Sequence, residues 1–164
     1  MREKTVQLNK KFFKSLLIIL VCFVLDRFSK IYIIDFFLKS EINEKYINSY
    51  LNFNLIWNRG IAFGLLQSEA LTYHLISLMI FFVILFLFYI LIKNENLLEI
   101  VCFSIIIGGA VGNLFDRIYY NAVPDFIDLH FNNFHWFTFN VSDICISIGI
   151  ITLLIFDIFK YKNR

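Results

Sequence analysis

Four stretches of mostly apolar residues dominate this 164-residue chain, each close to the roughly 20 residues that an α-helix needs to cross a bilayer. They run from about Phe13 to Ile34, Leu71 to Ile92, Leu97 to Arg117 and Val141 to Phe159. Composition agrees. The chain is 59% hydrophobic and 17% charged, against about 25% charged for a soluble domain, and its mean hydropathy is +0.71. A soluble domain of this size has no interior large enough for that much apolar surface. Disorder is excluded, because it needs low hydrophobicity. The expected fold is an all-α membrane protein: one integral domain over residues 1–164, with four transmembrane helices and a small extended, β-like region outside the membrane.

Charge sets the expected orientation. Arg2, Lys4, Lys10, Lys11 and Lys14 precede the first span, Lys93 follows the second, and Lys160, Lys162 and Arg164 follow the fourth. The positive-inside rule puts both termini and the 93–96 turn in the cytoplasm, which four spans satisfy and three or five do not. The net charge of +2 gives no footprint for nucleic acid. The first span is no cleaved signal peptide, since it lacks a small-residue cleavage site and contains Asp26, Arg27 and Lys30. Cys22, Cys102 and Cys145 all sit in apolar runs without a CxxC and read as small buried hydrophobes.

Two segments, about 39–70 and 118–140, remain on the outer side. The first holds the strand-like Tyr50-Leu51-Asn52-Phe53-Asn54-Leu55-Ile56-Trp57, then Gly60 and Gly64, which suit a mobile loop with Trp57 and Phe63 on its apolar side. An ordinary turn is the simpler alternative. The second holds Asp125-Phe126-Ile127-Asp128-Leu129-His130-Phe131. As a strand, it puts Asp125 in the phase of Ile127, Leu129 and Phe131, facing the buried or membrane side, and puts Asp128 and His130 in the other.

Charged groups inside a bilayer cost several kcal/mol unless paired or hydrated, so they mark candidate sites. Asp26 and Lys30 lie four residues apart on one helix face and can pair; alone they are equally an ion pair that supports packing. Gly108 and Gly112 form a GxxxG surface for close helix approach. That surface leads into Asn113, Asp116 and Arg117. Asp143 opens the fourth span, where it also suits the helix dipole. The topology brings Asp116, Asp125, Asn140 and Asp143 to one depth, with Asp26 and Lys30 near. Two such carboxylates sharing a water can hydrolyse a peptide bond, because like charges that close keep one group protonated as acid while the other acts as base. Periodicity and spacing leave Asp116 and Asp125 nearly equal as candidates.

Four ordered motifs carry a resemblance: Asp26-Arg27-Phe28-Ser29-Lys30; Asn58-Arg59-Gly60-Ile61-Ala62-Phe63-Gly64; Gly108 to Arg117, followed by Val123-Pro124-Asp125-Phe126; and Phe139-Asn140-Val141-Ser142-Asp143. In them the chain resembles the lipoprotein signal peptidase family, also called signal peptidase II, from Asp26 to about Gly149. The resemblance implies an aspartic endopeptidase of the bacterial inner membrane, its site at the outer face. Its substrates are diacylglyceryl-modified prolipoproteins, cut just before the lipidated cysteine. It places the catalytic pair on Asp125 and Asp143. Supporting places fall on Asp26, Lys30, Asn58, Gly60, Asn113, Asp116, Arg117 and Asn140, with Asn54 upstream of the second motif. Arg27 stands where the family usually has Gln, Ser29 for Thr, Pro124 for Val and Ser142 for Ala. The expected partners are prolipoprotein and membrane lipid, the working unit a monomer, with no cofactor and no metal.

Two other classes fit parts of this pattern. Asp125, Asp128, His130 and His135 offer metal ligands in one outer segment, although no HExxH is present. A four-span channel or assembly factor would instead spread polar residues through the membrane depth, whereas here they concentrate at the outer face.

Overall fold

The structure is a computed structural model that describes residues 2–60, 70–132 and 134–162. Its elements are helix α1 (Arg2–Ser40), strands β1 (Glu44–Asn48) and β2 (Leu51–Asn58), helices α2 (Ala70–Lys93) and α3 (Leu97–Tyr120), strands β3 (Val123–Phe131) and β4 (Phe134–Phe139), and helix α4 (Val141–Lys162). Ile61, Phe63 and Gly64 of the expected outer loop lie outside the described residues.

By length and composition, three helices among the described residues suit a membrane crossing: 72–93, 97–120 and 141–162. These are the second, third and fourth expected spans. The first expected span lies inside α1, a 39-residue helix whose apolar stretch is interrupted by Asp26, Arg27 and Lys30. The outsides of the helices are apolar: Phe82, Phe86 and Leu154 are each more than half exposed, a surface made for lipid rather than water.

The α3 helix is the centre of the bundle and packs against α1, α2 and α4. Along α1, the residues Ser15, Ile19, Cys22, Asp26, Lys30, Ile33 and Phe37 are buried. They recur every three or four positions and form one stripe. Ile19 joins Ile84, Leu91 and Ile107 in an apolar core. Small residues set the approach distances. A Cβ on Gly108 would lie 2.7 Å from Cys22 Cβ, and one on Gly109 2.5 Å from the Ser142 carbonyl oxygen. The GxxxG surface therefore faces α1, with Gly109 facing α4. Polar backbone at the helix ends is satisfied locally. Asn96 caps α3 by accepting from the Leu98 and Glu99 amides at 2.9 and 3.2 Å, and Asn121 ends it in the left-handed region at φ 53°.

The extended region is a four-stranded antiparallel sheet in the order β1-β2-β3-β4, larger than a β-like segment. Strands separated by more than 60 residues pair: Phe53 lies opposite Ile127, and Trp57 opposite Pro124. Asp125 shares a face with Ile127, as the alternation predicts, and is buried at 4% exposure. The far end of that face is open, with Leu129 and Phe131 exposed. Phe126, on the opposite face, packs with Ile33 and Phe37 of α1.

Close contact at Gly112 is testable. An added Cβ would meet the Ser142 hydroxyl and stand 2.7 Å from Asp26 Oδ2. Gly112→Val is expected to destabilise the bundle by about 1–3 kcal/mol through overpacking, read as a lowered melting temperature in detergent.

Candidate active site

The site begins with one lysine. Lys30 is fully buried, and its ammonium donates to Asp26 Oδ2 at 2.9 Å, Asn113 Oδ1 at 2.9 Å and Asp116 Oδ2 at 2.6 Å. All three of its protons are used. Arg27 adds a second cation, 2.5 Å from Asp116 Oδ1 and 3.1 Å from Asp26 Oδ2. Two carboxylates thus face two cations. Asp26 Oδ1 also accepts the Ser142 amide at 2.9 Å, which ties α1 to the start of α4.

Asn113 passes this order outward. Its carbonyl faces Lys30, so its amide donates to Asp143 Oδ1 at 2.8 Å. Asp143 and Asn140 cap each other reciprocally: the Asp143 amide donates to Asn140 Oδ1 at 3.1 Å and the Asn140 amide to Asp143 Oδ2 at 3.2 Å. This is the capping-box arrangement at the start of α4, with Asn and Asp in its two places. The Asn140 side-chain amide then donates to Asp125 Oδ1 at 2.6 Å. Asn58 donates to Asp125 Oδ2 at 2.9 Å, and its own oxygen accepts the Gly60 amide at 2.9 Å. Arg117 bonds the Gly60 carbonyl, and Tyr73 of α2 donates to the Arg117 carbonyl at 2.9 Å. One hydrogen-bonded chain therefore links Lys30, Asn113, Asp143, Asn140, Asp125, Asn58, Gly60 and Arg117.

Asp116, Asp125 and Asp143 differ in their surroundings. Asp116 is fully buried and bound to two cations. Asp125 and Asp143 are held by neutral amides and line a cavity of about 630 Å³, with Asn58, Asn113 and Arg117 beside them and apolar walls from α2, α3 and α4. Burial and the neighbouring Asp143 charge push the Asp125 carboxyl up to about 6. Such a group keeps its proton to a higher pH than an ordinary carboxyl and can exchange it during a reaction.

Most of the expected site residues come together in this network. Asn54 of β2 does not: it lies opposite Glu44 of β1, and among the described residues its buried Oδ1 has no partner. The reading missed Tyr73, which no local motif marks, and the pairing of Arg27 with Asp116. His74 is exposed beside Tyr73, as a lipid-edge residue would be. The four-ligand metal grouping is not formed, because Asp125 lies on the face of β3 opposite Asp128 and His130 and joins neither of them nor His135.

Removal of the central cation leaves two buried carboxylates short of charge, so Lys30→Met is expected to cost about 3–5 kcal/mol. Thermal unfolding in detergent reads this. The conservative Asp143→Asn, which keeps its shape at the cavity, should unfold within a few degrees of wild type.

Residues 18–160 match the family model for signal peptidase (SPase) II. The lipoprotein signal peptidase of Pelagibacter ubique (strain HTCC1062) is 46% identical over 156 residues, covering 94% of this chain and 93% of that protein. The one from Anaplasma marginale (strain Florida) is 38% identical over 148 residues, covering 88% and 84%. A bacterial membrane enzyme solved by the in meso method at 2.3 Å resolution superposes with a TM-score of 0.75 at 26% identity, over 92% of this chain and 91% of its own. A second, at 1.9 Å resolution, gives 0.70 at 30% identity over 87% and 90%. With this match running through both the helices and the sheet, the chain belongs to the signal peptidase II family of membrane peptidases.

Proposed function

We propose that the chain is an aspartic endopeptidase that removes the signal peptide from diacylglyceryl-modified prolipoproteins, with Asp125 and Asp143 as its catalytic pair. The observation that carries this reading is the joint presence of these two carboxylates, each held by asparagine amides, at the head of an apolar cavity. In the mechanism, a water lies between them. One carboxylate takes its proton as the oxygen attacks the scissile carbonyl. The other, already protonated, donates to the carbonyl oxygen and then to the leaving amine. Asp125 is suited to be the member that takes up the proton, since burial and Asp143 raise its affinity for one. Asn58, Asn113 and Asn140 fix the carboxylate planes, and Arg117 fixes the backbone at Gly60.

The apolar walls below the carboxylates, including Val83, Ala110 and Ile146, suit the signal helix and acyl chains of such a substrate. In this proposal α1 also crosses the membrane. Its charges do not oppose that, because Asp26 and Lys30 are fully buried against α3 and α4 and none of their charge meets lipid. Four crossings put both termini in the cytoplasm and the sheet, with the site, at the outer face of the bacterial inner membrane. The protein works as a monomer on substrate that reaches it within the bilayer. The channel reading has less support, because the buried charges gather at one level rather than along a path.

Cleavage of a diacylglyceryl-modified prolipoprotein by purified protein tests the assignment. Asp125→Asn and Asp143→Asn are each expected to lose on the order of 10³-fold in rate, while wild-type cleavage persists in EDTA. Loss of cleavage in EDTA with both variants active would sink the aspartic reading. The pH profile tests the proton holder. A carboxyl raised to about 6 keeps its proton below that pH and loses it above. The rate should therefore fall as pH rises through about 6, and an increase across that range would exclude Asp125 as the acid.

A further inference from the structure

On the opposite face of β3 from Asp125, a second cluster has no part in this chemistry. Asp128 and His130 alternate along β3, and His130 lies directly opposite His135 of β4. The two imidazole rings are stacked with centroids 5.1 Å apart. His135 Nδ1 lies 2.7 Å from Asp128 Oδ2. One ligand atom from each of the three residues lies within 4.8 Å of the others.

The satisfaction of these groups is incomplete. Asp128 is 1% exposed, and among the described residues its only ion pair is with the half-exposed His135. Among the described residues its Oδ1, buried, has no hydrogen-bond partner, and neither has His130 Nδ1. A buried carboxylate oxygen and a buried ring nitrogen, both unpartnered, carry a desolvation cost that a cation would remove. The donor set of two imidazoles and one carboxylate is one that zinc-class ions take with water in the fourth place. Ligand atoms about 2.1 Å from a tetrahedral ion stand about 3.4 Å apart. Side-chain rotations reach that spacing, because the strand register already holds the three backbones together. His135 leaves an entry path from solvent.

We propose that Asp128, His130 and His135 form a binding site for one divalent transition-metal ion of the zinc class, which clamps β4 to β3 at the outer end of the sheet. The ion lies across the sheet from the cavity and takes no part in peptide hydrolysis. Its role is to hold the strand that carries Asp125.

The test uses the full-length protein in detergent, free of any histidine tag and stripped with a chelator that is then removed. Co²⁺ is titrated by calorimetry and by its visible absorption, which is intense only for low coordination. One equivalent is expected, displaced by Zn²⁺, with a rise in melting temperature. His130→Ala and His135→Ala should each weaken binding at least about tenfold, given that even outer-shell changes at metal sites cost 10–100-fold, and should abolish the thermal shift. His74→Ala should leave both unchanged. Melting in chelator shows that each variant is folded. Absence of saturable Co²⁺ binding by wild type would overturn the site and leave Asp128 and His135 as a plain ion pair. Undiminished binding in the His130→Ala/His135→Ala double variant would overturn it equally.

Discussion

Everything in this fold that concerns chemistry leans on the buried ammonium of Lys30. Its three hydrogen bonds join α1 to α3 at two positions, Asn113 and Asp116, and hold Asp26 in place. An unpaired charge in a low-dielectric interior costs several kcal/mol, and removing one member of a buried pair is strongly destabilising. The bundle is therefore confined to arrangements in which Lys30, Arg27, Asp26 and Asp116 meet. Apolar packing alone would not impose this, since lipid is as good a neighbour for a leucine as another helix is.

The geometry of that meeting depends on small residues. Gly109 and Gly112 on α3 leave room for the first turn of α4, and Gly112 also for the Asp26 carboxylate. With α4 that close, the Ser142 amide reaches Asp26, and Asp143 comes within reach of Asn113. Since the bond from Ser142 uses backbone, the departure from alanine there leaves it intact. Arg27, where the family usually has Gln, adds its charge to Asp116 and so balances the second buried carboxylate.

The two carboxylates proposed to react sit where this polar layer meets the sheet. Asn140 closes β4 and opens α4, and its side chain and backbone bond Asp125 and Asp143 together. One asparagine thereby couples strand geometry to helix geometry. The sheet presents Asp125 from one face to the cavity and turns Asp128 and His130 to the other, so two chemically distinct clusters share a nine-residue strand without touching.

Much of this was legible in the residues. Runs of about 20 apolar residues, the GxxxG surface and the i,i+4 pair of Asp26 and Lys30 are local periodicities, so their elements follow from short-range geometry. The alternation in β3 likewise put Asp125 on the buried side. The ordered motifs carried the family. Beyond reach were the four-stranded sheet, whose central pair joins Phe53 to Ile127 across two helices, and the tie between Asp116 and Asp125. Both carboxylates have the same intrinsic chemistry and similar places near the end of the third apolar run. Only the packing of α1 against α3 gives Asp116 two cations, and only the meeting of β2, β3 and the start of α4 gives Asp125 two amides and a cavity. A sequence determines which groups can ionise and how they repeat along one element. Which of them meets a counter-charge is decided by contacts between elements, and those exist only once the chain has folded.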